Sequence, residues 1–190
     1  AAGSEIILSA RSGHAALRHR LGELGYTFDD TAFEDVYNRF LEIADQKKEV
    51  FDEDLESMVQ ERQREVKAIY TLDALQVSCG DPLVPTATAT ISDELGVKHV
   101  VCATGTGPVD AAYKAVDKVV AVHGDLAEFS VKAISRGIDA IGEVTVRITA
   151  EDGKVYTGRG ADTDIIVSSA KAYVNAVNRM IQTARSKEGK

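Results

Sequence analysis

The chain has no tryptophan and few aromatics of any kind, with five Phe and six Tyr in 190 residues. A core built from large stacked rings is thereby excluded, and Ala, Val, Thr and Gly must do much of the packing. Cysteine is equally scarce. Cys79 and Cys102 lack the paired spacing of a zinc site and read as buried thiols of a cytosolic protein. The four histidines, His14, His19, His99 and His123, form no His-x-His or His-x-x-x-His pair, so no metal site is expected. No apolar run is long enough to span a bilayer and no signal peptide is visible, which excludes a membrane role and points to the cytoplasm. Basic residues are outnumbered, 22 against 30 acidic ones for a net charge of −8. They form no sizeable cluster, and the basic stretch from Arg11 to Arg20 is soon followed by Glu and Asp, so nucleic acid is excluded as a partner. Neither a phosphate-binding Gly-Lys-Ser/Thr loop nor a nucleophile elbow occurs.

What is present is enough to fold. A hydrophobic content of 44% with 27% charged residues describes a mostly globular chain, of a length suited to one domain with an appendage or to two small domains. The first four residues, Ala1-Ala2-Gly3-Ser4, read as a cut linker, so the chain reads as a fragment.

Residues 5–66 carry helical periodicity. Ser12 can cap a helix running to Leu21, with Gly22 and Gly25 marking its end. Asp29 or Asp30 can cap a second, on which Phe33, Val36, Tyr37, Phe40, Leu41 and Ala44 recur at helical spacing. A third spans Asp52 to Glu65, with acidic residues in its first turn and Leu55, Met58 and Val59 on one side. The apolar faces are narrow, so these helices read as a linker module that docks on something else.

From Lys67 onward the period changes to two. Strands are expected over Ile69–Cys79, around Thr86–Ile91 and over Val97–Thr104, then a helix from Pro108, which sits where a missing amide costs nothing. The order then repeats: strands over Leu126–Arg136, around Val144–Ile148 and over Val155–Gly158, then a helix bearing Ile166, Ala170, Tyr173, Val174, Val177 and Ile181. Glu151-Asp152-Gly153 supplies a hairpin turn. The fold class is therefore α+β: a helical linker over residues 1–66, then two pseudo-symmetric βββα units over residues 67–190. Each repeat carries a Gly-x-Gly, Gly105-Thr106-Gly107 and Gly158-Arg159-Gly160, read as a turn that opens the following helix and offers backbone amides to an anion. The seam between duplicated halves is a natural place for a small ligand. His14, in the polar run from Arg11, either positions an anionic substrate or is a plain surface residue.

The run from Ile7 to Tyr26, containing Arg11-Ser12-Gly13-His14-Ala15-Ala16-Leu17, resembles the segment that follows the catalytic barrel in the 2-isopropylmalate synthase family. The stretches Gly105 to Ala112, Gly158 to Ala170 and Asn175 to Arg179 resemble the end of the same family, so the resemblance spans nearly the whole chain. The family condenses acetyl-CoA with 2-oxoisovalerate in leucine biosynthesis, using a divalent metal in a TIM barrel. The resemblance implies that this chain corresponds to the linker subdomains and the regulatory domain, which dimerises and binds leucine as feedback inhibitor, with no catalysis or cofactor of its own and the catalytic barrel as its partner within the parent enzyme. It also implies an effector site, carried over position by position: Gly107, Pro108, Val109 and Asp110 at the first Gly-rich turn, Leu126, Phe129 and Ala133 on the strand opening the second unit, Ala140 in the loop after it, and Ile165 at the start of the last helix. On that mapping, amides near Gly107 to Asp110 meet the leucine carboxylate and the apolar side chains enclose its isobutyl group. Asp110 departs from the small apolar residue expected in some relatives, and either pairs with the ligand ammonium or faces solvent. Three other readings stay open: the regulatory domain of a citramalate synthase sensing isoleucine, a structural dimerisation module without effector binding, and a stand-alone small-molecule sensor.

Overall fold

The computed structural model describes residues 8–188 apart from 10, 48, 66–67, 121, 123 and 134–140. The chain divides into two compact units, Ala1–Lys67 with Ser186–Lys190, and Ala68–Arg185.

The first unit is helical: α1 (His14–Glu23), α2 (Asp30–Gln46) and α3 (Asp52–Glu65). Ser12 does not cap α1, because its hydroxyl already accepts the Ser9 N–H at 3.0 Å; Gly13 is the N-cap and contributes no side chain. The far end of α1 closes as the glycines suggest. Gly25 takes a φ of 81°, and the N–H groups of Gly25 and Tyr26 donate to the carbonyls of Gly22 and Leu21, a Schellman termination. Asp29 caps α2 by accepting the Ala32 N–H at 2.8 Å. The narrow apolar faces do make a core of their own, in which Leu17, Leu21, Phe33, Phe40 and Leu55 are almost fully buried. Arg20 and Asp52 tie α1 to the start of α3 through a half-buried bidentate pair.

The second unit is the duplicated one. Strands β1 (Tyr70–Gly80), β2 (Leu83–Asp93) and β3 (Lys98–Thr104) form one antiparallel sheet in that order, followed by α4 (Pro108–Asp117). Strands β4 (Asp125–Ala133), β5 (Gly142–Thr149) and β6 (Val155–Asp162) form the second, followed by α5 (Ile165–Glu188). In each sheet the central strand alternates cleanly. Ala87, Ala89 and Ile91 of β2, and Val144, Val146 and Ile148 of β5, are buried in a core shared with both helices.

The Gly158-Arg159-Gly160 segment is not a turn. It lies inside β6, which runs on to Asp162, and the turn into α5 is made by Thr163 and Asp164. The glycines serve packing instead. A Cβ on Gly158 would lie 2.0 Å from the Ala172 carbonyl oxygen, and one on Gly160 would lie 2.2 Å from that of Ser168. The backbone of α5 rests directly on β6. At the corresponding register in the first sheet stand Val101 and Ala103, opposite Ala89 and Ala87. The cysteines also differ from expectation: both are exposed, Cys79 near the end of edge strand β1 and Cys102 on the face of β3 opposite to buried Ala103. Strand periodicity alternates the two faces, and Cys102 falls on the outward register.

The helices meet through their tyrosines. Tyr113 and Tyr173 stack at 4.3 Å with an interplanar angle of 12°. The Tyr173 hydroxyl donates to Asp117 at 2.7 Å. Asp117 stands four residues after Tyr113; four residues after Tyr173 stands Val177, so the pseudo-symmetric acceptor is missing and the Tyr113 hydroxyl is buried without a partner among the described residues. Burial pushes both phenols above the ordinary tyrosine range. At the far end of the core, Asn178 of α5 clasps Tyr70 of β1 by accepting its N–H and donating to its carbonyl, each at 2.8 Å. Arg185 makes a bidentate pair with Glu94 in the turn after β2.

Replacing Tyr113 by Phe removes an unsatisfied buried hydroxyl and should stabilise the chain by about 1 kcal/mol, whereas Tyr173→Phe should destabilise it by a similar amount. Urea denaturation followed by circular dichroism reads both signs, and equal effects would contradict the asymmetry. Gly158→Ala forces apart two backbones and should cost about 3 kcal/mol, seen as a lowered urea midpoint at unchanged slope.

Candidate functional site

Two groups of residues in the second unit have the chemistry to hold a small zwitterion. The first is the entry to α4. Gly105 has to be glycine, since a Cβ there would lie 2.4 Å from the Ala111 nitrogen. That close approach folds the turn under the helix. Gly107 is the N-cap, extended and without a capping side chain, and Pro108 occupies the first turn. Asp110 points back over this turn. Its Oδ2 accepts from the Lys114 ammonium at 2.8 Å, from the Thr106 N–H at 2.8 Å and from the Thr106 hydroxyl at 3.2 Å. Lys114 first, and the Thr106 N–H next, hold its carboxyl below the usual carboxylate range. The helix's own first amides are left over: the N–H groups of Val109 and Asp110 have no acceptor among the described residues.

The entry to α5 is built differently. Asp164 accepts the N–H groups of Ile166 at 2.7 Å and Val167 at 3.3 Å, while its own N–H donates to Asp162. The duplicated helices therefore differ at their positive ends, one capped by a carboxylate and one open to an anion. Residues Gly107 to Asp110 are each half-buried, so the open end sits in a partly sheltered place.

The second group lies on β4. The register pairs Leu126 with Ile148, Phe129 with Val146, Val131 with Val144 and Ala133 with Gly142, so all four point to the face that β5 turns toward the core. Yet β4 is exposed along its whole length. Leu126 is 49% exposed, Phe129 40% and Val131 49%. The cause is the seating of α5: resting on β6, it covers β6 and β5 and leaves the inward face of β4 uncovered. Ile165, the first residue of α5, lies over Gly142 beside Ala133 and is 39% exposed.

The structure thus brings Leu126, Phe129, Ala133 and Ile165 onto one apolar trough. It places Gly107, Pro108, Val109 and Asp110 together at the open end of α4, and among the described residues no hydrogen bond or ion pair joins the two groups. Ala140 lies outside the described residues. Val131 and Gly142 belong to the trough and were not singled out from sequence; the period of two starting at Phe129 reaches Val131, but nothing local marks Gly142.

The outer faces of the two sheets differ in charge. On the second sheet Arg147 pairs with Glu128 and Arg159 with Glu143, at 3.4 and 3.8 Å. On the first, three ranks across the strands, Ala74–Thr90–Val100, Gln76–Thr88–Cys102 and Ser78–Thr86–Thr104, carry no charge at all. In the helical unit His14 is about half exposed, stacked on Tyr37 at 3.7 Å and 3.4 Å from the Glu34 carboxylate. Among the described residues no helix is long and apolar enough to cross a membrane.

Residues 49–181 match the family model of the LeuA allosteric (dimerisation) domain. The chain is 79% identical over its full 190 residues to a 2-isopropylmalate synthase of Olsenella uli, of which it covers 37%. It is 46% identical over 182 residues, 96% of its length, to the 2-isopropylmalate synthase of Prochlorococcus marinus, and 47% over 177 residues, 93% of its length, to that of Picosynechococcus. The chain spans about a third of the length of these curated relatives, 37%, 34% and 33%. The matched segment contains both three-stranded sheets and most of α5, and the chain belongs to the LeuA allosteric (dimerisation) domain family.

Proposed function

We propose that this chain is the regulatory portion of a 2-isopropylmalate synthase and that it binds leucine as a feedback inhibitor. The observation that carries this reading is the trough on β4. Leu126, Phe129 and Val131 face the core side of their sheet and are still 40–49% exposed, an arrangement that wastes apolar burial unless something sits there. A branched aliphatic side chain suits those walls, and Ala133 leaves room for it. The open amides of Val109 and Asp110 suit a carboxylate, and the Asp110 carboxylate, ionised through its contact with Lys114, suits an ammonium group. On this reading the effector closes the space between the repeats, and Gly107, Pro108, Val109, Asp110, Leu126, Phe129, Ala133, Ala140 and Ile165 surround it.

The condensation of acetyl-CoA with 2-oxoisovalerate belongs to the rest of the parent enzyme, as does its divalent metal, and the chain alone is inactive. Two copies associate as a homodimer. Inhibition is then linkage: leucine favours one arrangement of the regulatory dimer over another, and a coupling of about 1–3 kcal/mol passes to the barrel.

Titration calorimetry tests the reading. Leucine should bind the chain, with isoleucine and valine weaker. Phe129→Arg or Ala133→Trp should abolish the heat while leaving the thermal melt in place. Retained binding in either variant would move the site elsewhere. An absence of heat with all three amino acids would leave a structural dimerisation role, and tighter binding of isoleucine would favour a citramalate synthase.

A further inference from the structure

Gly142 opens β5, is buried, and pairs with Ala133 on one side and Asp162 on the other. Its carbonyl accepts the Ser168 hydroxyl at 2.7 Å, and the same hydroxyl lies 2.8 Å from the Gly160 carbonyl, so the first turns of α5 are pinned above this strand end. A Cβ on Gly142 would lie 2.2 Å from the Ile165 Cδ1 and 3.5 Å from its Cγ1. The backbone does not ask for glycine here, since Gly142 is not among the residues with positive φ. A side chain at this position would have to displace the tip of Ile165, which fills that volume.

We propose that Gly142 is the positioning residue that sets the depth of the trough beside Ala133, and through it the size of aliphatic amino acid the site accepts. By lacking a side chain it seats the Ile165 tip flat against β5. The space over Ala133 then stays open for the branched end of the effector. With any larger residue at 142 the Ile165 δ-methyl must withdraw to ordinary contact distance, about 3.5–4 Å. Toward β6 stands the Asp162 backbone, whose carbonyl oxygen would lie 3.9 Å from the added Cβ. The open direction is over β4, where Ile165 is already 39% exposed, and the displaced methyl would take the room of the effector's terminal carbons. This inference rests on the effector reading above and adds a residue that touches no effector itself.

The test is a calorimetric titration of the 190-residue chain with leucine and with valine, in four forms: unaltered, Gly142→Ala, Ile165→Val, and the double variant. In Gly142→Ala the leucine affinity should fall about tenfold or more relative to valine, the change that one methylene makes in an apolar pocket. Ile165→Val alone sets the reference for a site that lacks the δ-methyl, since Ile165 itself lines the site. The double variant should show the same ratio as Ile165→Val, because the atom that clashes with the added Cβ is gone. A leucine-to-valine ratio that stays put in Gly142→Ala, or a loss that Ile165→Val does not rescue, would overturn the role of Gly142 while leaving the effector site in place. A double variant whose ratio differs about tenfold from that of Ile165→Val would do the same, and that arm holds even if Gly142→Ala alone fails to fold. No heat from the unaltered chain with either amino acid would remove the effector site, and this inference with it.

Discussion

The regulatory unit depends on one close approach, that of α5 onto β6. Two glycines two residues apart let a helix backbone lie on a strand with no side chains between them, at a separation a single added carbon would forbid. From that seating follow the Ser168 hydroxyl reaching two carbonyls, the stacking of Tyr113 on Tyr173 and the reach of Asn178 to Tyr70. It also decides what is left bare. A helix drawn toward one edge of a three-stranded sheet cannot shelter the other edge, and β4 keeps its apolar face open for that reason.

The duplication matters mainly where it fails. Both repeats share strand order, helix position and the small-residue core, and each departure between them has a physical consequence. Val101 and Ala103 in one sheet stand where the other has glycines, so the two helices ride at different places. Asp164 closes one helix entry and Gly107 leaves the other open. Asp117 satisfies one tyrosine and Val177 cannot satisfy its counterpart. One outer face carries ion pairs across its strands, and the other has three successive ranks without a charge.

Much of this architecture was legible in the sequence. Period-two runs located all six strands, and the apolar stripe with Pro108 located α4, because both signals repeat with the geometry of the element itself. The capping residue Asp29 was legible for the same kind of local reason. The Gly158-Arg159-Gly160 segment was misread because glycine marks both turns and close packing, and only the partner helix distinguishes them. Ser12 lost its capping role to a competing backbone donor three residues away. The cysteines were placed by residue type, while their exposure is set by strand register. For the site, the β4 side chains could be named from a resemblance, but their exposure could not, since it comes from where α5 sits. Gly142 was invisible for a related reason: its meaning lies in Ile165, which reaches it through a different element.

The clasp of Asn178 on both polar groups of the Tyr70 backbone joins positions 108 apart in the chain. On the ribosome, the first strand of this unit must wait for most of the last helix to emerge before that clasp can close. Until then the backbone polar groups of Tyr70 lack that partner, so the contact that fixes the start of β1 is among the late, long-range ones to form.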